Sequence, residues 1–136
     1  MRMGYWLLKT EPSTYSWSDL VKAKHATWDG VKNPTALRNL REMKVGDLAF
    51  IYHTGDEKAI VGIAKVVKAA YPDPKAGDDS LVVVDLEPVK PLKAPVTLAS
   101  IKADKQYAAW ALVRIPRLSV MPVTAEHWKQ LSATSS

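Results

Sequence analysis

The run Ala59-Ile60-Val61-Gly62-Ile63-Ala64-Lys65-Val66-Val67 constrains this chain more than any other stretch. Side chains branched at Cβ lose rotamer freedom in a helix and pack well on a pleated surface, so a stretch rich in them forms a strand. Gly62 in its middle predicts a bulge or the close approach of another group to the backbone. Before it, Leu48-Ala49-Phe50-Ile51-Tyr52 runs as a second strand into His53-Thr54-Gly55-Asp56, and the two read as a hairpin. Tyr71–Asp79 reads as a surface loop, Leu81–Leu86 as a returning strand, and Pro88, Pro91 and Pro95 as punctuation of an extended connector. Tyr5–Leu8 is a buried strand ended by Lys9-Thr10-Glu11-Pro12, and Arg114–Val120 is a last strand ending at Pro122. No regular long helices separate these strands, which argues against a doubly wound parallel sheet. The expected fold is α+β, a single domain over residues 1–136. It is a mixed, mostly antiparallel curved sheet or small barrel of about five strands with four short helices at its ends.

Helix starts are marked by capping residues. Ser16 with Asp19 three residues on is a capping-box spacing, and the short helix it opens carries Leu20 and Val21 inward. Asn33 before Pro34 is a cap followed by proline at the first helical position. Leu37, Leu40 and Met43 continue that helix at helical spacing. Thr97 and Thr124 cap two more helices, with Val96/Ile101 and Val123/Trp128 at hydrophobic-staple spacing. The tail Ser132–Ser136 reads as frayed.

Charge and residue usage narrow the function. The net charge is +5, spread as 8 Lys/Arg against 5 Asp/Glu in residues 1–47 and 11 against 9 in the rest. A diffuse positive field favours polyanionic partners. The chain has no cysteine, which excludes disulfides, thiol catalysis and cysteine-based zinc sites. His25, His53 and His127 stand at no metal-binding spacing, and no phosphate-loop, dinucleotide or hydrolase-elbow motif occurs, so no metal and no cofactor is expected. His127 reads as a surface residue. The longest apolar runs fall far short of the roughly 20 residues that span a membrane. With no signal-like segment at the start of the sequence, the expected setting is the cytoplasm, without a membrane. Oligomeric state is not legible.

Four groups of residues could carry chemistry. Trp28-Asp29-Gly30-Val31-Lys32-Asn33-Pro34 places an aromatic face, a glycine and a cation beside the free N–H groups of a helix start, which suits an aromatic or anionic ligand such as a nucleotide. Lys9 and Glu11 share one face of a strand end and Thr10 the other. They form either an acid–base pair with a hydroxyl or a strand-end salt bridge. Tyr52-His53-Thr54 ends a strand where a pocket could open, the ring stacking on a base and the polar groups reading its edge. Arg117 and Ser119 share a face of the last strand, where an arginine could meet a phosphate.

These residues also carry a resemblance. Trp6-Leu7-Leu8-Lys9-Thr10-Glu11-Pro12 with Tyr15-Ser16, and then Trp28–Asn33, resemble the first two motifs of the EVE domain family. Tyr52-His53, Ile60–Ala64, Tyr71–Pro74, Pro95–Leu98 and Arg117–Thr124 continue the likeness in order, from about Gly4 to Leu131. The resemblance implies a PUA-like β pseudo-barrel with flanking short helices. It implies a non-enzymatic reader of modified bases in DNA or RNA, like the YTH and SRA-type readers. By position it implies a base pocket of Lys9, Thr10, Glu11, Trp28, Gly30, Val31, Asn33, Tyr52, His53 and Thr54. Lys32, Arg117 and Ser119 would stand at its phosphate-facing rim. The alternative is a small hydrolase of modified nucleosides working through Lys9, Thr10 and Glu11. Two departures stand out: Thr35 replaces a common Gln, and the loop after Pro74 is short.

Overall fold

In the computed structural model, which describes residues 4–134, six strands form one sheet in the order β2-β5-β4-β3-β1-β6. The strands are β1 (Tyr5–Thr10), β2 (Ala26–Trp28), β3 (Leu48–His53), β4 (Ala59–Pro72), β5 (Val82–Thr97) and β6 (Val120–Pro122). Only β1 and β3 pair in parallel, and every other neighbour is antiparallel. The sheet curls into a half-barrel, with α1 (Trp17–Ala23), α2 (Pro34–Glu42), α3 (Leu98–Lys102), α4 (Ala111–Arg114) and α5 (Ala125–Thr134) around it. The mixed α+β architecture is the one expected from the strand pattern.

The caps work as their spacing predicts. Ser16 accepts a hydrogen bond from the Asp19 N–H while Asp19 accepts from the Ser16 N–H, and Asn33 Oδ1 accepts from Ala36 N at 3.0 Å. Thr97 and Thr124 cap α3 and α5 in the same way. Each such cap satisfies a donor that the helix itself leaves unpaired and contributes about 1 kcal/mol. Gly62 is a site of close approach: a Cβ there would come within 2.6 Å of the Trp17 ring, and the β4–β5 register shifts beside it.

Several expectations are corrected. The extended connector is strand: Pro88, Pro91 and Pro95 lie inside the 16-residue β5. Pairing with β2 stops at Leu86, so beyond it one edge of β5 is free and a missing N–H costs no ladder bond. Tyr71 and Pro72 belong to β4 rather than to the loop. The last strand is only Val120–Pro122, because Ala111–Arg114 turns as a helix. β2 and α4 carried too few residues to show a period. Val21 points outward at 45% exposure, Leu20 alone of that pair being buried. Ser132–Thr134 continue α5, while Ser135 and Ser136 lie outside the described residues. His127 is half-buried, its ring 4.7 Å from that of Tyr107 and 5.8 Å from that of Trp110.

The sheet is covered on both faces, since the consecutive β1 residues Leu7 and Leu8 point to opposite sides and both are fully buried. Leu7, Leu8, Phe50, Ile60, Leu86 and Met121 are fully buried against Leu20, Leu40, Ile101 and Leu112 from the helices. Burying side chains of this kind contributes about 1.5–3 kcal/mol each. Asp47 is the main buried carboxylate of the β1–β3 end. It accepts from Trp6 Nε1, Gly4 N and Lys44 N, each at 2.9 Å, and so ties the start of β1 to the turn before β3.

Candidate functional site

At the opposite end of β1 the sheet opens into a cavity of ≈ 670 Å³. β1 ends at Thr10, and the chain then turns back through Thr14 and Tyr15 into α1. The three-residue β2 brings Ala26, Thr27 and Trp28 up the other side by pairing with β5. Asp29, Gly30 and Val31 continue that wall, and Ser119 and Lys75 complete the lining. Gly30 has φ +79°, a left-handed conformation that favours glycine and that lets the wall bend away toward α2. The ring of Tyr15 meets that of Trp28 edge-on, with centroids 6.2 Å apart. In such an edge-to-face contact each ring covers at most one face of the other, so aromatic surface remains at the cavity for a flat ring to stack on.

Two hydroxyls in the lining are held. Thr10 Oγ1 donates to the Tyr15 carbonyl at 2.7 Å, which fixes the turn carrying Tyr15. Thr27 Oγ1 donates to Asp85 Oδ1 at 3.0 Å. Asp85 is buried on β5 and also accepts from Tyr71 Oη at 2.5 Å, with His25 Nε2 3.5 Å from its other oxygen. The bond to Asp85 is the main reason the Tyr71 hydroxyl titrates above its ordinary range.

Lys9 supplies charge. Its Nζ donates to the Pro116 carbonyl at 2.8 Å and stands 5.6 Å from the centre of the Tyr52 ring. Partial burial pulls its pKa below the ordinary lysine value. Desolvation disfavours the ammonium, and an anion entering the cavity would restore it.

Of the residues picked out in the sequence, Lys9, Thr10, Trp28, Gly30, Val31 and Ser119 come together around the cavity. The others stand elsewhere. Lys9 and Glu11 form neither the acid–base pair nor the salt bridge expected of them. Glu11 accepts from Ser13 N, Ser13 Oγ and Thr54 Oγ1, and these bonds, the Ser13 backbone first, hold its pKa below the usual carboxylate range. Lys9 and Thr10 border the same cavity despite being adjacent, because the cavity wraps around the strand end.

His53 is a structural clamp. Its Nε2 accepts from the Trp17 N–H at 3.0 Å, so Nδ1 carries the proton and donates to Glu57 at 2.6 Å. Tyr52 is buried, with burial raising its pKa, and it meets the site only through Lys9. Asn33 caps α2 through its side-chain oxygen and stands outside the cavity lining. Lys32 faces a smaller neighbouring cleft with Asp73 and Leu81, and Arg117 is exposed outside the cavity lining.

Thr14, Ala26, Thr27 and Lys75 also line the cavity although no sequence motif marked them, and so does Asp29 from within the Trp28–Pro34 stretch. Tyr15 was present in the opening motif but carried no assigned role. The turn back from β1 into α1 and the pairing of β2 with β5 bring these residues to the cavity. Neither leaves a period in the sequence. Among the described residues no group of three or more His, Cys, Asp or Glu side chains could hold a metal ion. No described helix is long and apolar enough to cross a membrane.

A curled half-barrel with an aromatic-walled, lysine-bordered cavity at the ends of its strands is a small ligand-holding β module. The chain belongs to the EVE domain family, whose profile matches residues 4–134. Human thymocyte nuclear protein 1 is 33% identical over 92% of this chain and 71% of that protein. An NMR structure of a Rhodopseudomonas palustris protein superposes with a TM-score of 0.92 at 46% identity, covering 98% of this chain and 93% of that one. The human THYN1 protein, solved in complex with 5-methylcytosine-containing DNA, superposes with a TM-score of 0.88 at 31% identity, covering 98% of each chain. A protein from Zymomonas mobilis described as ASCH shares the fold at 13% identity, with a TM-score of 0.62.

Proposed function

We propose that this domain is a non-enzymatic nucleic-acid reader that holds one base, in particular a modified one, in the cavity bordered by Trp28 and Tyr15. The observation that carries the reading is the cavity itself. Its ≈ 670 Å³ falls within the roughly 300–1,000 Å³ of small-ligand sites. Two aromatic rings border it at a mutual angle of 83°, and Lys9 and Lys75 stand on its border where a phosphodiester would enter. Taking a base out of a duplex costs a few kcal/mol, and each aromatic stack returns about 1–3. Phosphate contacts from lysines, backed by the +5 net charge, supply the remainder. The DNA held by the human THYN1 protein supports the same reading here. The partner is DNA or RNA, and the setting is the cytoplasm, where a chain without disulfides is stable.

The hydrolase alternative has less support. It needs Lys9, Thr10 and Glu11 to act on one substrate, yet Glu11 is engaged by Ser13 and Thr54 outside the cavity lining.

Binding of the purified protein to short single- and double-stranded DNA and RNA, with and without modified bases, at two salt concentrations, tests the proposal. A preference for one modified base is expected to survive the higher salt and to be lost in Trp28→Ala. Binding that ignores the base and vanishes with salt would overturn it.

A further inference from the structure

The hydrogen-bond polarity of the cavity wall follows from where its hydroxyl protons go. A carboxylate oxygen only accepts, and a threonine hydroxyl has one proton. Thr27 lines the cavity and donates that proton to Asp85, behind the wall. The same Asp85 oxygen takes the Tyr71 proton across 2.5 Å, so Tyr71 cannot turn around and donate to Thr27. What Thr27 has left for a ligand is lone pairs. Thr10 is in the same state, because its proton is given to the Tyr15 carbonyl at 2.7 Å. Lys9 provides the complementary polarity. One of its three N–H bonds is held by the Pro116 carbonyl, and the others are free to donate. Beside these two acceptors and Lys9, the lining holds the Asp29 carboxylate, a further acceptor, and Lys75, a second cationic donor, while Thr14 and Ser119 add hydroxyls that can take either role.

Building on the reader assignment above, we infer that the cavity selects a base with an exocyclic amino group over one with a carbonyl in its place, and that Thr27 is a specificity-determining acceptor whose proton Asp85 holds. An exocyclic amine donates to lone pairs, while ring nitrogen and carbonyl acceptors beside it take the lysine N–H groups. A carbonyl at the amino position would face the threonine lone pairs unpaired in a partly desolvated site. That mismatch lowers affinity on the order of tenfold.

The test uses two probes that differ only in this edge. One is a single-stranded DNA 12-mer with a central 5-methylcytosine, and the other has thymine there. Both bases carry the same 5-methyl group, and thymine replaces the 4-amino group with a carbonyl. An abasic 12-mer serves as the reference, and affinity is read by fluorescence anisotropy. The wild-type protein is expected to hold the 5-methylcytosine probe about tenfold more tightly than the thymine probe. Thr27→Val, which suits an exposed strand position, should cut that ratio at least threefold, and Thr27→Ser should keep it. Equal or reversed affinities that both exceed the abasic probe's would overturn the inference and leave the reader assignment standing. An unchanged ratio in Thr27→Val would also overturn it. If neither base binds better than the abasic probe, the reader assignment itself fails, and the inference with it.

Discussion

Two tryptophans at opposite ends of the sheet are equally hidden from solvent and do different work. Trp28 is 7% exposed and Trp128 is 8% exposed. Trp128, on α5, has Phe50 stacked at 3.8 Å between centroids and Tyr5 at 4.8 Å, so rings of its own chain occupy its π-surface. Trp28, on the three-residue β2, makes a T-shaped contact with Tyr15 rather than a stacked one and borders an open cavity. Burial alone therefore does not separate a core ring from a ligand platform. Trp128 borders a cleft too, of ≈ 540 Å³ with Tyr5 and Lys90, so the distinction lies in whether rings of the same chain already stack face-on, and that depends on which strands and turns converge there.

This contrast gives a graded set of expectations. The largest effect belongs to Trp128→Ala, which removes a ring packed on two others and should cost about 3–5 kcal/mol in urea-monitored unfolding. Trp28→Ala should cost less stability, since the cavity already leaves part of its surroundings empty, while removing base-dependent binding. Equal stability losses in the two variants would break the comparison. Next comes Gly62→Ala. The added Cβ meets the Trp17 ring at 2.6 Å, so α1 has to shift, with an expected loss of about 1–3 kcal/mol by denaturant titration. Because Tyr15 leads into α1, probe affinity should fall with stability. Affinity that stays constant would show that the cavity does not depend on this packing.

The smallest effect concerns Lys9 and pH. Its folded-state pKa lies below the ordinary 10.5 because burial disfavours the charged form. Between that lowered value and 10.5 the unfolded chain binds more protons than the native one, so stability rises with pH across the window. Unfolding curves of wild type and Lys9→Met should accordingly converge as pH climbs toward 10.5, the variant being the more stable at neutral pH by less than about 1 kcal/mol. A gap that widens with pH would reverse the assigned sign. The same variant should bind DNA more weakly at neutral pH.

Much of the candidate site was legible where local chemistry dictates local geometry. Trp28, Gly30 and Val31 sit in one short segment, so wherever one of them borders a cavity the others are close. Lys9 and Thr10 end a strand next to a proline, and strand ends are where small half-barrels open. Asn33 shows the limit of that logic. Its motif contained both a helix cap and a candidate ligand contact, and the bond from Ala36 N to its oxygen holds the side chain at the start of α2, outside the cavity lining. His53 shows the same limit at long range, since its acceptor is claimed by Trp17, 36 positions earlier in the chain.

The sequence by itself determined the strands β1, β3 and the body of β4, the capped helix starts, the absence of thiol chemistry and the family. Each depends on side chains within a few residues of one another or on motif order along the chain. Only the tertiary structure decided that Thr27 and Asp85 meet across β2 and β5, that Lys75 reaches the cavity, and that Glu11 and His53 turn to other partners. Those outcomes depend on register and on competition for hydrogen bonds between segments far apart in the chain. A one-residue slip in pairing exchanges every inward and outward side chain. No local pattern carries that information, because the packed sheet sets it all at once.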